Sequence, residues 1–140
     1  MYCPESHIKV VILESLDIKV LCDESAAISK SKGFSGQSFP EFIALVHSEC
    51  SEALEEFRGN KGITEIWYSE LVEHDGISYR RPCTADTPGA KPEGIPSELA
   101  DVLIRIFHYC GENNIDLGSA VLDKLAYNRT RAHKHGNKRI

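Results

Sequence analysis

The tetrapeptide Glu98-Leu-Ala-Asp101 sets two carboxylates three residues apart, a spacing that places both on one side of a helix. Its surroundings, IPSELADVLIRIFHYC over 95–110, are apolar at Leu99, Ala100, Val102, Leu103, Ile104, Ile106 and Phe107, with Glu98, Asp101, Arg105 and His108 forming a single polar stripe. A helix so apolar is expected to be buried on several sides. Its acids should then face a polar cavity or a cation, because burying an unpaired carboxylate costs on the order of several kcal/mol. Glu49 and Glu52 repeat the spacing, and Glu56 extends it by one turn. Packed side by side, Glu49, Glu52, Glu98 and Asp101 would repel one another unless divalent cations sat among them. Oxygen-only ligands favour Mg²⁺ or Mn²⁺, and Mg²⁺ is usually completed by water and substrate phosphates, so the implied ligand is phosphorylated. A complementary stripe follows at Leu117, Val121, Lys124, Asn128 and Arg131. Its polar end offers a Lys, an amide and an Arg one turn apart, suited to polyphosphate oxygens.

Four helices and a hairpin must position these groups. The first is expected over Ser15–Lys32, capped by Ser15, presenting Val20, Leu21, Ala27 and Ile28, and stopped by Gly33. The β-branched segment before it, HIKVVILE (7–14), reads equally as a strand or a further helical turn. Ser38, Pro40 and Glu41 open the second helix, Phe42, Val46, Cys50, Ala53 and Phe57 form its core face, and Gly59-Asn60 closes it. Ile66-Trp67-Tyr68 and Ile77-Ser78-Tyr79 flank the turn dipeptide Asp75-Gly76, giving a hairpin, and RPCTADTPGAKPEGIP reads as loop. Pro96 and Ser97 start the third helix, which runs to about Gly111; Asp116 or Ser119 starts a fourth reaching about Ala132. The fold class expected is all-α: a small bundle of about four main helices, with a β-hairpin and loop inserted between the second and third.

The 140 residues suit a single domain, with the insertion at about 64–95 and a basic tail at about 132–140. No apolar run is long enough to span a membrane, and the N-terminal segment lacks the pattern of a secretory signal. Five scattered cysteines, with no Cys-x-x-Cys pair, suit reduced thiols, and the expected location is cytoplasmic. The net charge of −5 argues against a stable nucleic-acid partner, whereas from Lys124 onward the chain carries Lys124, Arg129, Arg131, Lys134, Lys138 and Arg139 with no Asp or Glu.

In combination, HSECSEALEEFR (47–58), PEGIPSELADVLIRI (92–106) and KLAYNRTRAHKHGNK (124–138) resemble the MazG-like all-α nucleoside triphosphate pyrophosphohydrolases, over roughly residues 20–138. The resemblance implies a Mg²⁺-dependent enzyme that converts an NTP or dNTP to the monophosphate and pyrophosphate and assembles as a homodimer or homotetramer. It maps the family's acidic pairs onto Glu49 with Glu52 and Glu98 with Asp101, and its phosphate-contacting Lys and Asn onto Lys124 and Asn128, with Arg131 beside them. The implied mechanism is metal-assisted hydrolysis, with Glu52 orienting the water and Lys124, helped by Arg131, stabilising the departing pyrophosphate. The insertion at 64–91 is longer than the family's usual connection, which bears on the nucleoside pocket. The alternatives are a related phosphohydrolase acting on a phosphoribosyl nucleotide or nucleoside diphosphate, and a non-catalytic oligomeric interaction module.

Other side chains have plainer readings. Alone, Glu49 and Glu52 would read as a solvated face, as would Glu55 and Glu56, although Glu56 could also join the metal site. Arg105 is expected to pair with Asp101 or Glu98, and His108 to be structural. His133 and His135 read as surface or phosphate-proximal residues. Trp67, Tyr68 and Tyr79 read as hairpin core or as a clasp for a base, with Phe34 as a further candidate for the base pocket. The apolar third helix implies oligomerisation.

Overall fold

Asp17 opens the first helix of the computed structural model, which describes residues 17–132. The segment 7–14, Ser15, His133, His135 and the tail beyond them lie outside the described residues. Helix α1 spans Ile18–Ser31, and its cap is the Asp17 side chain, which accepts from the Lys19 N–H at 2.8 Å. Gly33, with φ of 83°, turns the chain away after it. Helix α2, Phe39–Arg58, has a full capping box, in which Ser38 and Glu41 satisfy each other's backbone donors. At its far end Asn60, not Gly59, adopts the left-handed conformation, with φ of 61°.

The hairpin forms as expected. Strands β1, Trp67–His74, and β2, Ile77–Cys83, pair antiparallel with His74 opposite Ile77. Asp75 and Gly76 both have positive φ, as a two-residue turn matched to strand twist requires. The stretch read as loop contains a third strand, β3, Lys91–Glu93, which pairs antiparallel with the other edge of β1 and gives the order β2-β1-β3. Prolines disguised it. Pro82 and Pro92 lie in the two edge strands, where a missing N–H can face outward without breaking the ladder.

Helix α3, Ile95–Glu112, leaves β3 through a single residue, Gly94. The Gly94 carbonyl accepts from Ser97 N–H at 2.9 Å and Glu98 N–H at 3.1 Å, starting the helix. Its φ of 102° and the approach of the Glu65 carbonyl, 2.5 Å from where a Cβ would stand, admit only glycine. Helix α4, Leu117–Thr130, is capped by Asp116, whose carboxylate accepts from the Ser119 N–H at 3.0 Å.

The described chain is mostly helical, about 57 %, but its sheet means that it is not strictly all-α. It forms two compact units, one of residues 17–35 with 107–132 and the other of residues 36–106. In the first, α1 meets the end of α3, where the Cys22 carbonyl lies 2.2 Å from the site a Gly111 Cβ would occupy. Cys22 and Cys110 are buried, whereas the apolar Val20 and Ile28 are more than half exposed. In the second unit Phe42 is buried, but Cys50 and Phe57, farther along the expected core face of α2, are exposed. No described helix is long and apolar enough to cross a membrane.

Candidate metal centre

Within the second unit, α2 contributes Glu49 and α3 contributes Glu98 and Asp101, one carboxylate oxygen from each lying within 4.8 Å of the others. The three-residue step along α3 puts its two acids on one side, and β3 with Gly94 fixes where that helix begins. Glu49 and Glu98 are 6 % and 3 % exposed. Glu98 Oε2 is buried with no hydrogen-bond partner, a costly arrangement for a carboxylate.

Arg105 does not pair with Asp101 or Glu98, as the stripe suggested. It crosses to α2, where its Nε donates to Glu49 Oε1 at 2.8 Å and its Nη2 lies 2.8 Å from the same oxygen. A helix stripe shows which residues share a side but not which neighbouring helix faces them, so this partner was hidden from the sequence.

Burial pushes the Glu98 carboxyl above the usual carboxylate range; the charges of Glu52, Asp101 and Glu93 add to this and Lys91 opposes it. Asp101 is raised first by burial and then by Glu49, against Lys91 and Arg105. Both shifts come first from burial and then from neighbouring carboxylates. The donors are all oxygens, which suits a hard divalent cation, and an orphaned buried oxygen suits a ligand to one. Glu49, Glu98 and Asp101 therefore fit Mg²⁺ or Mn²⁺. Glu52, the fourth expected ligand, is exposed and outside the trio, although its charge acts on Glu98.

The inserted sheet brings a second group that spacing alone did not reveal. Ser69 Oγ donates to Glu93 Oε1 at 2.7 Å, Lys91 Nζ donates to Glu93 Oε2 at 2.8 Å, and Arg80 Nη1 donates to Ser69 Oγ at 3.0 Å. Ser69 is 1 % exposed and Glu93 7 %. Although burial pushes the Glu93 carboxyl up, hydrogen bonds from Lys91 and Ser69 hold it below its usual range. The signal present in the sequence was Lys91-x-Glu93, an alternation that marks one face of a strand.

Glu56 is half-buried, and its Oε2 accepts from Trp67 Nε1 at 2.8 Å. Trp67 also carries Lys61 Nζ 4.6 Å from its ring centroid, so its indole is engaged on an edge and a face. Tyr68 is half-buried, while Tyr79 and Phe34 are exposed. His108 is buried, with Nε2 3.5 Å from Glu112 Oε2, in keeping with a structural role.

Lys124, Asn128 and Arg131 lie in the first unit, exposed at the middle, last turn and C-cap of α4. Lys124 Nζ and Arg131 Cζ stand 5.6 and 5.9 Å from the Tyr127 ring centroid, so the two cations share one aromatic side chain. Comparisons of the chain with protein-family models, with curated proteins and with solved structures find no match.

Proposed function

We propose that the chain is a Mg²⁺-dependent nucleoside triphosphate pyrophosphohydrolase of the MazG-like kind. The observation that carries the reading is the buried Glu98 Oε2, unpartnered beside Glu49 and Asp101. An exposed acidic cluster would be ordinary; a buried carboxylate oxygen left without a donor is accounted for by a cation. Glu49, Glu98 and Asp101 would hold the ion, which would supply positive charge to the substrate phosphates and promote deprotonation of water.

Arg105 fixes the Glu49 carboxylate, leaving its other oxygen for the ion. Glu52, exposed at the edge of the trio, orients the attacking water. Lys124 and Asn128, with Arg131, bind the polyphosphate and stabilise the leaving pyrophosphate, by the likeness of the Lys-x-x-x-Asn segment to the family's own. The four described cysteines are free thiols, which suits the cytoplasm.

We also propose a homodimer or homotetramer. Leu99 and Leu103, one turn apart on α3, are 52 % and 51 % exposed, as are Leu54 and Phe57 on α2 at 55 % and 60 %. Apolar side chains left open on the acid-bearing helices favour burial against another copy.

The test is to incubate the purified chain with Mg²⁺ and a panel of canonical and modified triphosphates, measuring pyrophosphate against orthophosphate. Pyrophosphate release is expected, reduced by more than about a hundredfold in Glu98→Gln, beyond the loss usual for even an outer metal partner. Turnover of no triphosphate would overturn the reading.

A further inference from the structure

Lys91 and Glu93 occupy alternate positions of β3 and therefore project from one face of the sheet, shared with Ser69 and Trp67, their partners in register on β1. Arg80, in register with Leu71, joins them from β2. This face looks toward the acid-bearing helices. Trp67 reaches Glu56 of α2, and the charge of Lys91 acts on both Glu98 and Asp101 of α3.

Of the two cations on this face, Lys91 pairs with the Glu93 carboxylate directly and Arg80 reaches it through Ser69. Glu93 is held by Ser69 on one oxygen and Lys91 on the other, with Arg80 behind Ser69. The Lys91 side chain is 42 % exposed against 10 % for Glu93, so the ammonium is pinned at its base with donors to spare. Such a charge, acting on Glu98 and Asp101, weakens the hold of the acids on a cation. A position unfavourable to the metal alone becomes favourable when the metal arrives with an anion.

We propose that Lys91, oriented by Glu93 and backed by Arg80, is a substrate-phosphate contact contributed by the inserted sheet to the metal centre. The inference rests on the reading of Glu49, Glu98 and Asp101 as a divalent-cation site for a phosphorylated substrate. It gives the insertion a role in binding, since Lys91 meets the phosphate oxygens of the metal-held compound from the sheet side.

The experiment uses two ligands on the full chain. Mn²⁺ binding is followed by electron paramagnetic resonance, and binding of inorganic tripolyphosphate in the presence of saturating Mg²⁺ by calorimetry. Lys91→Gln is expected to weaken tripolyphosphate by about tenfold or more, the usual loss for a charge-assisted hydrogen bond, while Mn²⁺ binds as tightly as to the wild type or more tightly. Lys91→Arg, which keeps the charge, restores tripolyphosphate affinity. Because one ligand weakens while the other does not, a folding defect cannot imitate the result. Unchanged tripolyphosphate affinity in Lys91→Gln, with wild-type binding of both ligands intact, overturns the inference and leaves the metal centre standing. A wild type that binds no Mn²⁺ overturns both.

Discussion

Glu98 carries two opposed demands. Its carboxyl is raised by burial and by surrounding acids, so the folded chain holds its proton more tightly than the unfolded chain does. A raised carboxyl penalises folding above the ordinary carboxylate range, near about pH 4, because ionisation is easier once the chain unfolds. Glu98→Gln is therefore expected to be more stable than the wild type at pH 7 without metal. The gap should close as pH falls through the raised Glu98 value; Glu52, Asp101, Glu93 and Lys91, the charges around it, remain in both proteins. Adding Mn²⁺ should reverse the order, since the ion rewards the charged carboxylate. Thermal melts across pH, with and without Mn²⁺, check this, and a wild type more stable than Glu98→Gln in the metal-free state at pH 7 would contradict it. The acids of this centre were legible in the sequence because helical spacing is local. The Arg105 to Glu49 pairing and the orphaned Glu98 oxygen were not, because each depends on two helices meeting or on complete burial.

At the scale of elements, caps and turns were the most readable features. Ser38 with Glu41, the Asp75-Gly76 turn and Asp116 all do what short-range chemistry suggests. Strand β3 was not readable: it is three residues long, contains Pro92, and exists because β1 offers an unpaired edge. The buried residue of α1 was not readable either: it is Cys22, set by a close approach at a glycine on another helix. That approach makes a prediction. Gly111→Ala would place a methyl 2.2 Å from the Cys22 carbonyl, against backbone that cannot yield locally, and is expected to cost about 3 kcal/mol or more. Urea denaturation measures it. A loss below about 1 kcal/mol, the lower end for overpacking, would show that α1 does not lie so close to α3.

At the scale of the whole molecule, burial is scarce. Among the described residues the buried apolar side chains are Cys22, Phe42 and Cys110, while Leu99, Leu103, Leu54 and Phe57 stay more than half exposed. The proposed oligomer predicts a mass of at least a dimer by sedimentation at micromolar concentration. Leu103→Glu should shift that mass toward the monomer; a wild-type monomer under the same conditions would count against it. The sequence indicated that α3 carries more apolar surface than a small bundle covers, but not that Leu99 and Leu103 are the residues left exposed among the described ones, since periodicity records which residues share a side and not what lies beyond it. Gly94 has a separate consequence for how this chain tolerates new sequence. With a single residue between β3 and α3, one residue inserted between Glu93 and Glu98 would turn the acids by about 100° relative to the strand. The hairpin tip at Asp75-Gly76, exposed and bounded by its own ladder, is by contrast a place to graft a reporter peptide. Mn²⁺ affinity should survive the graft and disappear with the inserted residue, so that of these two joints one accepts length and the other keeps count.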